Sequence, residues 1–140
     1  MSIPTQMSLS GFIASTPQLT FTGNGVARFY ARVGVEHARK EADGSFTSLE
    51  PTFHDMVMFR ASAERAYARF RKGDSCVASG YINEYKIERG GNTVAREEFV
   101  ARRIGHDTAR TRYDVDRPKA SEPDLSAGQT MGPSTQAVGL

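Results

Sequence analysis

Hydrophobic and polar residues alternate along much of the first hundred positions, and a period of two is typical of β-strands. The segment MSLSGFI alternates around Gly11, and a glycine inside a strand often marks a bulge or a sharp bend. The segment ARFYARV has one apolar face, on which we expect Phe29 in the core, and its other face carries Arg28, Tyr30 and Arg32. We therefore predict a first strand that bends and a second strand with a basic, aromatic face.

A third strand is predicted from Phe53 to Phe59, after a charged segment read as a long loop or mobile hairpin around Asp43 and Gly44. Its alternation places two phenylalanines, Asp55 and Val57 on one face. His54, Met56 and Met58 share the other face, where the two methionines are expected to fill core gaps. A face that combines aromatic rings with a carboxylate is unusual for a core and needs another explanation.

The hydrophobic period changes after Arg60. Ala63, Ala66, Tyr67 and Phe70 recur at helical spacing, and Gly73 follows as a stop signal, which predicts one short amphipathic helix. Two further alternating segments, SCVASGYINEYKIE and TVAREEFVARRI, flank a Gly-Gly hairpin turn, and Cys76 in the first is expected to be buried. The order β-β-β-α-β-β favours an all-β, five-stranded OB-fold barrel with the helix between strands three and four. An SH3-like barrel or a small sandwich would give a similar pattern.

Composition divides the chain into two parts. Residues 1–106 have the alternating pattern of a single small domain, whereas residues 107–140 are rich in Pro, Gly, Ser and Thr without an apolar period and are predicted to be a disordered tail. The sequence shows no long apolar run or signal-peptide pattern, so we expect a cytoplasmic protein. The net charge of +2 permits a polyanionic partner without requiring one.

The sequence contains little that indicates catalysis. Its three histidines, His37, His54 and His106, lack metal-ligand spacing, no CxxC pair occurs, and no phosphate-binding GxxxxGK[ST] loop is present. Neighbouring strand residues such as His54 and Asp55 point to opposite faces and cannot form a ready acid–base pair. We therefore expect a protein that is not an enzyme and needs no cofactor or metal.

Three segments in this order and spacing resemble the bacterial and phage single-stranded DNA-binding proteins: SLSGFIASTPQLTFTGNGVARFYARV, FHDMVMFRASAERAYARFRKGD and VASGYINEYKI. The resemblance implies an OB fold that binds single strands during replication, recombination and repair. It also implies association with the nucleoid and a homotetramer in which His54 lies at a subunit contact. Bases stack on aromatic rings in that family, which would explain the mixed face of the third strand.

The resemblance and the chemistry of stacking together predict the DNA-binding residues. Rings bind bases without sequence preference, and basic side chains contact phosphates. Phe53 and Phe59 correspond to stacking positions of the family, although Phe59 has an alternative as ordinary core. The predicted set is Arg28, Tyr30, Arg32, Phe53, Phe59, Lys72, Tyr81, Tyr85, Lys86 and Arg96. The basic members, and Arg102 with them, have the alternative of a solvated surface.

Two other functions remain open at this point. An OB-fold module of a replication or recombination complex would bind protein rather than DNA, and an oligosaccharide-binding OB domain would be expected in a secreted, disulfide-bonded protein. The C-terminus differs from the family, because no acidic residue follows Asp124 and the chain ends in GPSTQAVGL instead of an acidic peptide closed by phenylalanine. We therefore expect no docking of partners that read such a tip.

Overall fold

The computed structural model describes residues 2–118. These residues form six strands and one helix: β1 Met7–Ile13, β2 Gln18–Phe21, β3 Ala27–Lys40, β4 Phe46–Phe59, α1 Arg60–Arg69, β5 Ser75–Arg89 and β6 Asn92–His106. Apart from β2, the order is the predicted β-β-β-α-β-β. The prediction of a five-stranded OB-type barrel with one helix is confirmed. The short strand β2 pairs antiparallel with β3 at the edge and was not predicted.

The barrel closes because β1 has two partners. It pairs antiparallel with β5 from Met7 to Phe12 and then with β3 at Phe12 and Ile13. Gly11, which the sequence pattern associated with a bend, lies where β1 changes partner. A Cβ atom at this position would overlap the carbonyl oxygen of Gly34, so only glycine allows the two backbones to approach this closely. The remaining barrel contacts are β5 with β6, β6 with β4 in parallel, and β4 with β3.

The core fills the inside of the barrel with side chains from every barrel strand and from α1. Phe29, Met56, Met58 and Cys76 are all buried in it, as the alternation predicted. The helix contributes Ala63 and Ala66, and Phe70 follows from the next residue beyond it. Tyr67, which was assigned to the same helix face, is instead exposed. A filled core means that aromatic rings on the outside of the barrel are not needed to hold it together.

The element boundaries differ from the sequence prediction in two places. The charged segment predicted as a loop or mobile hairpin forms the paired ends of β3 and β4, which meet at a turn between Glu41 and Ser45. The third predicted strand therefore starts at Phe46 rather than Phe53. The helix ends at Arg69, and Gly73 occupies a left-handed turn, with φ of 98°, between α1 and β5.

The C-terminal segment is described only in part. Residues 107–118 contain no helix or strand, and the rest of the predicted tail lies outside the described residues. The domain limit at residue 106 therefore stays a prediction. Among residues 2–118 we find no helix that has both the length and the apolar character of a membrane span.

Candidate nucleic-acid interface

The outer surface of β3, β4, β6 and β5 carries a group of aromatic rings. Directly paired residues lie on the same side of a sheet, and the register pairs Tyr30 with Val57 and Tyr81 with Val100. Val57 and Val100 pair with each other across β4 and β6 and are buried, yet they lie outside the core cluster. They therefore form the apolar floor of an outer surface, which we call the ring face. Its rings are Tyr30, Phe53, Phe59, Tyr81 and Tyr85.

The rings of this surface are strongly exposed for their size. Phe53 is 46% exposed, Tyr81 44% and Phe59 36%. The core is complete without them, so the alternative of Phe59 as ordinary core does not hold. Exposed rings beside an apolar floor form a surface on which a planar ligand can stack. The mixed face of β4 is thus an outer face.

One aromatic contact of the ring face was not predicted. Phe12 of β1 meets Phe53 edge to face, with ring centroids 6.3 Å apart and an interplanar angle of 89°. Phe12 lies over Gly34, where a Cβ atom would overlap its ring. Gly34 inside an apolar strand is the one signal in the sequence that could have indicated this close approach. The contact fixes the orientation of Phe53 before any ligand arrives.

Two arginines of the ring face lie close to carboxylates. Arg32 Nη1 lies 3.0 Å from Asp55 Oδ1, and the hydroxyl of Tyr30 donates a hydrogen bond of 2.7 Å to the same oxygen. Arg28 Nη2 lies 4.0 Å from a carboxylate oxygen of Glu98. Arg28 and Arg32, two of the arginines predicted to contact phosphate, are therefore paired with carboxylates, whereas Arg96 has no ion pair among the described residues. A phosphate that binds Arg28 or Arg32 must compete with these partners.

These contacts also set the ionisation of the pair at the centre of the surface. Partial burial opposes ionisation of Asp55, but the hydrogen bonds from Tyr30 and Arg32 outweigh it, so the pKa of Asp55 lies below its ordinary value. Burial, together with the hydrogen bond to Asp55 and its charge, raises the pKa of the Tyr30 hydroxyl. Asp55 is therefore an anion and Tyr30 a donor at neutral pH.

The other predicted residues lie at different distances from the ring face. Tyr85 and Arg96 pair across β5 and β6 and belong to it, whereas Lys86 points to the opposite side of the same two-stranded ribbon. Lys72 lies in the turn between α1 and β5. His54 lies on the side of β4 opposite Phe53. Its Nε2 and that of His37 are each 2.8 Å from the hydroxyl oxygen of Thr52.

A second basic site lies beside the ring face, between α1 and β6. It is a cleft of about 840 Å³ whose charged lining residues are all arginines. We call it the arginine cleft, and its arginines are Arg60, Arg65, Arg69, Arg102 and Arg103. None of the five makes an ion pair with any residue between 2 and 118. Phe59 and Tyr81 line the cleft as well, so it adjoins the ring face directly.

Local backbone geometry brings the five arginines together. A bulge in β6 pairs Ser79 with Arg103 and Gly80 with Ala101, which leaves Arg102 as the extra residue. A Cβ atom on Gly80 would overlap the carbonyl oxygen of Val100, so the bulge requires glycine there. The guanidinium carbon of Arg102 lies 5.3 Å from the centroid of the Tyr81 ring. Sequence spacing alone did not indicate this arrangement.

Arg60 is the most unusual residue of the cleft. It joins β4 to α1 with φ of 65°, and it is the only residue other than glycine with positive φ in the described part of the chain. Such a conformation costs ~1–2 kcal/mol for a residue with a Cβ atom. The helix that follows has no side-chain cap and no acidic residue in its first turn. Its N-terminal amide groups therefore add to the positive potential of the cleft.

Comparison with known proteins gives the identity of this barrel. The model of the single-strand binding protein family matches residues 4–107. The chain belongs to the single-strand binding protein family. Single-stranded DNA binding is accordingly the function of this protein, and the ring face and arginine cleft are its candidate contact surfaces. No curated protein matches the sequence.

Solved structures of single-stranded DNA-binding proteins share the fold. A small single-stranded DNA-binding protein from Streptomyces coelicolor is 23% identical with a TM-score of 0.62, covering 76% of this chain and 98% of that one. A deletion mutant of the single-stranded DNA-binding protein from Thermus aquaticus is 20% identical with a TM-score of 0.63, covering 76% of this chain and 52% of that one. At these identities the similarity shows the fold.

Proposed function

We propose that the protein binds single-stranded DNA without sequence preference by stacking bases on the ring face. The observation that supports this most is the exposure of Phe53, Phe59 and Tyr81 on one surface, opposite a core that is already filled. Every base has a π-face, so a stacked base contributes ~1–3 kcal/mol whatever its identity. Val57 and Val100 form an apolar floor between these rings.

The basic residues at the ring face give the strand its phosphate contacts. Arg32 donates a hydrogen bond to Asp55, which orders its side chain before DNA arrives, whereas Arg28 lies 4.0 Å from a carboxylate oxygen of Glu98. A phosphate then takes the place of a carboxylate, or shares the guanidinium with it. Arg96 lies on the same surface beside Tyr85, while Lys72 and Lys86 contact a strand that extends beyond it.

We further propose a homotetramer in which His54 lies at a subunit contact. His54 and His37 share the hydroxyl group of Thr52 at an exposed position away from the ring face, where a second copy could pack without covering the rings. Several linked barrels would bind one strand with more affinity than any barrel alone. Acting on the nucleoid, such an assembly would serve replication, recombination and repair.

The experiment is a fluorescence titration with single-stranded and double-stranded oligonucleotides of equal length and several sequences, at several salt concentrations. We expect strong preference for the single strand, similar affinity across sequences, and affinity that falls steadily as salt rises. Equal affinity for duplex would contradict the proposal. Absence of DNA binding would favour the protein-interaction module instead. Light scattering in parallel tests the tetramer, and a monomer at micromolar concentration would exclude it.

A further inference from the structure

We propose that the arginine cleft binds the sugar–phosphate backbone of the same DNA strand after it leaves the ring face at Phe59. This inference rests on the proposed stacking function and adds the direction that the strand takes. The strand would pass along β4, over Phe59, and then between α1 and β6.

The geometry supports a continuous path. Phe53, Val57 and Phe59 lie along one side of β4, and Phe59 forms part of both the ring face and the cleft. Tyr81 is shared in the same way, with Arg102 over its ring. A base stacked on Phe59 therefore has its backbone at the mouth of the cleft. A ligand that leaves the rings on this side meets arginines first.

The charge of the cleft fits a polyanion and no other obvious ligand. Five arginines line it without any acidic residue, whereas Arg28 and Arg32 on the ring face already have carboxylate partners. Guanidinium groups bind phosphate through paired N–H donors, and the uncapped N-terminus of α1 provides further donors at the same place. The ring face provides stacking, and the cleft provides the uncompensated positive charge that a DNA backbone requires.

Several features of the cleft lower the local stability of the protein. Arg60 occupies a strained backbone conformation, and Arg65 and Arg69 are like charges one helical turn apart. The bulge in β6 brings Arg102 and Arg103 toward the same space. Local violations of this kind are expected where a site is functional, because a solvated surface would gain stability by losing them.

The test is the salt dependence of binding to a long oligothymidylate for wild type and the double variant R65Q/R69Q. Each phosphate contact on a single strand contributes about 0.7 to the slope of log K against log salt concentration. We therefore expect the slope of R65Q/R69Q to be less steep by about 1.4, with a melting temperature at or above that of wild type. The variant R102Q/R103Q, on the opposite wall of the cleft, should give the same result if the helix variant does not fold.

The matched control is R39Q/R110Q, which removes the same charge from two arginines that pair with Glu41 and Glu36 and do not line the cleft. Its slope should equal that of wild type. Equal slopes for wild type and both cleft variants, or equal losses in the control, would overturn the inference while leaving stacking on the ring face intact. Wild-type protein without single-strand preference would instead show that the proposed function itself is wrong.

Discussion

The ring face and the arginine cleft lie side by side but differ in whether their charged residues are paired. On the ring face the aromatic groups are exposed and the charges are paired, as in the contact of Asp55 with Tyr30 and Arg32. In the cleft the charges have no carboxylate partner within residues 2–118. Stacking is nearly independent of salt, whereas counterion release is not. We therefore expect stacking on the ring face to contribute affinity that changes little with salt, and the cleft to contribute affinity that falls as salt rises.

The largest expected effect comes from a ring that belongs to neither region. Phe29 is fully buried in the core, so Phe29→Ala should lower the free energy of unfolding by ~3–5 kcal/mol. Urea denaturation followed by circular dichroism measures this loss. A loss below about 1 kcal/mol would mean that the inside and outside of the barrel have been assigned wrongly.

Phe53→Ala tests the ring face itself and is the counterpart of Phe29→Ala. We expect single-strand affinity to fall by ~1–3 kcal/mol because one stacking ring is lost. The slope of affinity against salt should stay at the wild-type value, and the melting temperature should change little. If Phe53→Ala unfolds the barrel yet keeps residual affinity, the ring is structural.

Arg60→Gly tests how the cleft contributes to stability and to the salt dependence of binding. Glycine relieves the strain at φ of 65°, which stabilises the fold by ~1–2 kcal/mol. It also raises the conformational entropy of the unfolded chain, which destabilises the fold by ~0.4–1 kcal/mol. The net expectation is a gain of about 1 kcal/mol or less in the free energy of unfolding. Salt dependence should become less steep by about 0.7, the value of one phosphate contact. A less stable variant with unchanged slope would contradict both expectations.

Asp55→Asn should leave an arginine of the ring face without a carboxylate partner, like the arginines of the cleft. Removal of the carboxylate frees Arg32 for phosphate, so we expect single-strand affinity at low salt to rise by a few-fold and the salt slope to steepen by about 0.7. The amide of the new side chain keeps an oxygen that accepts from the Tyr30 hydroxyl, which limits the structural change. Unchanged affinity would show that Arg32 does not contact the strand.

The smallest expected effect is on the acid side of the stability profile. The pKa of Asp55 is lower in the folded chain than its ordinary value of 3.8. Its contribution to stability is therefore complete well above that pH and is lost as pH falls through the folded pKa. Wild type should thus lose stability below about pH 4 more steeply than Asp55→Asn. Parallel acid denaturation curves for the two proteins would mean that the ion pair does not stabilise the fold.

The sequence was sufficient to predict what depends on periodicity. Alternation gave the strands and the inward positions of Phe29, Met56 and Met58, and the change of period gave one helix. The mixed face of β4 was predicted to carry exposed rings, and Phe53 and Phe59 are exposed, while their contact with DNA stays a prediction. The assignment of Tyr67 to the buried helix face was wrong, since α1 packs against the barrel through Ala63 and Ala66 and leaves Tyr67 exposed.

The arginine cleft depends on strand register and on a bulge, which local sequence patterns do not predict. Arg102 reaches it because a bulge forms opposite Gly80, and that bulge depends on how closely β5 approaches β6. The pairing of Asp55 with Arg32 depends on the register of β3 against β4. From the sequence alone, Arg32 could not be distinguished from the arginines of the cleft. Only the register distinguishes a neutralised arginine from one that keeps its charge available.

The long strands have a consequence for local opening of the molecule. The first half of β3 is buried inside the barrel, but from residue 36 to 40 the same strand is exposed and pairs with the outer part of β4 alone. Backbone amides there are protected by one ribbon of hydrogen bonds and little apolar burial, so they should exchange with deuterium much faster than those near Phe29. The ribbon can therefore fray and re-form while the barrel, and with it the ring face, stays closed.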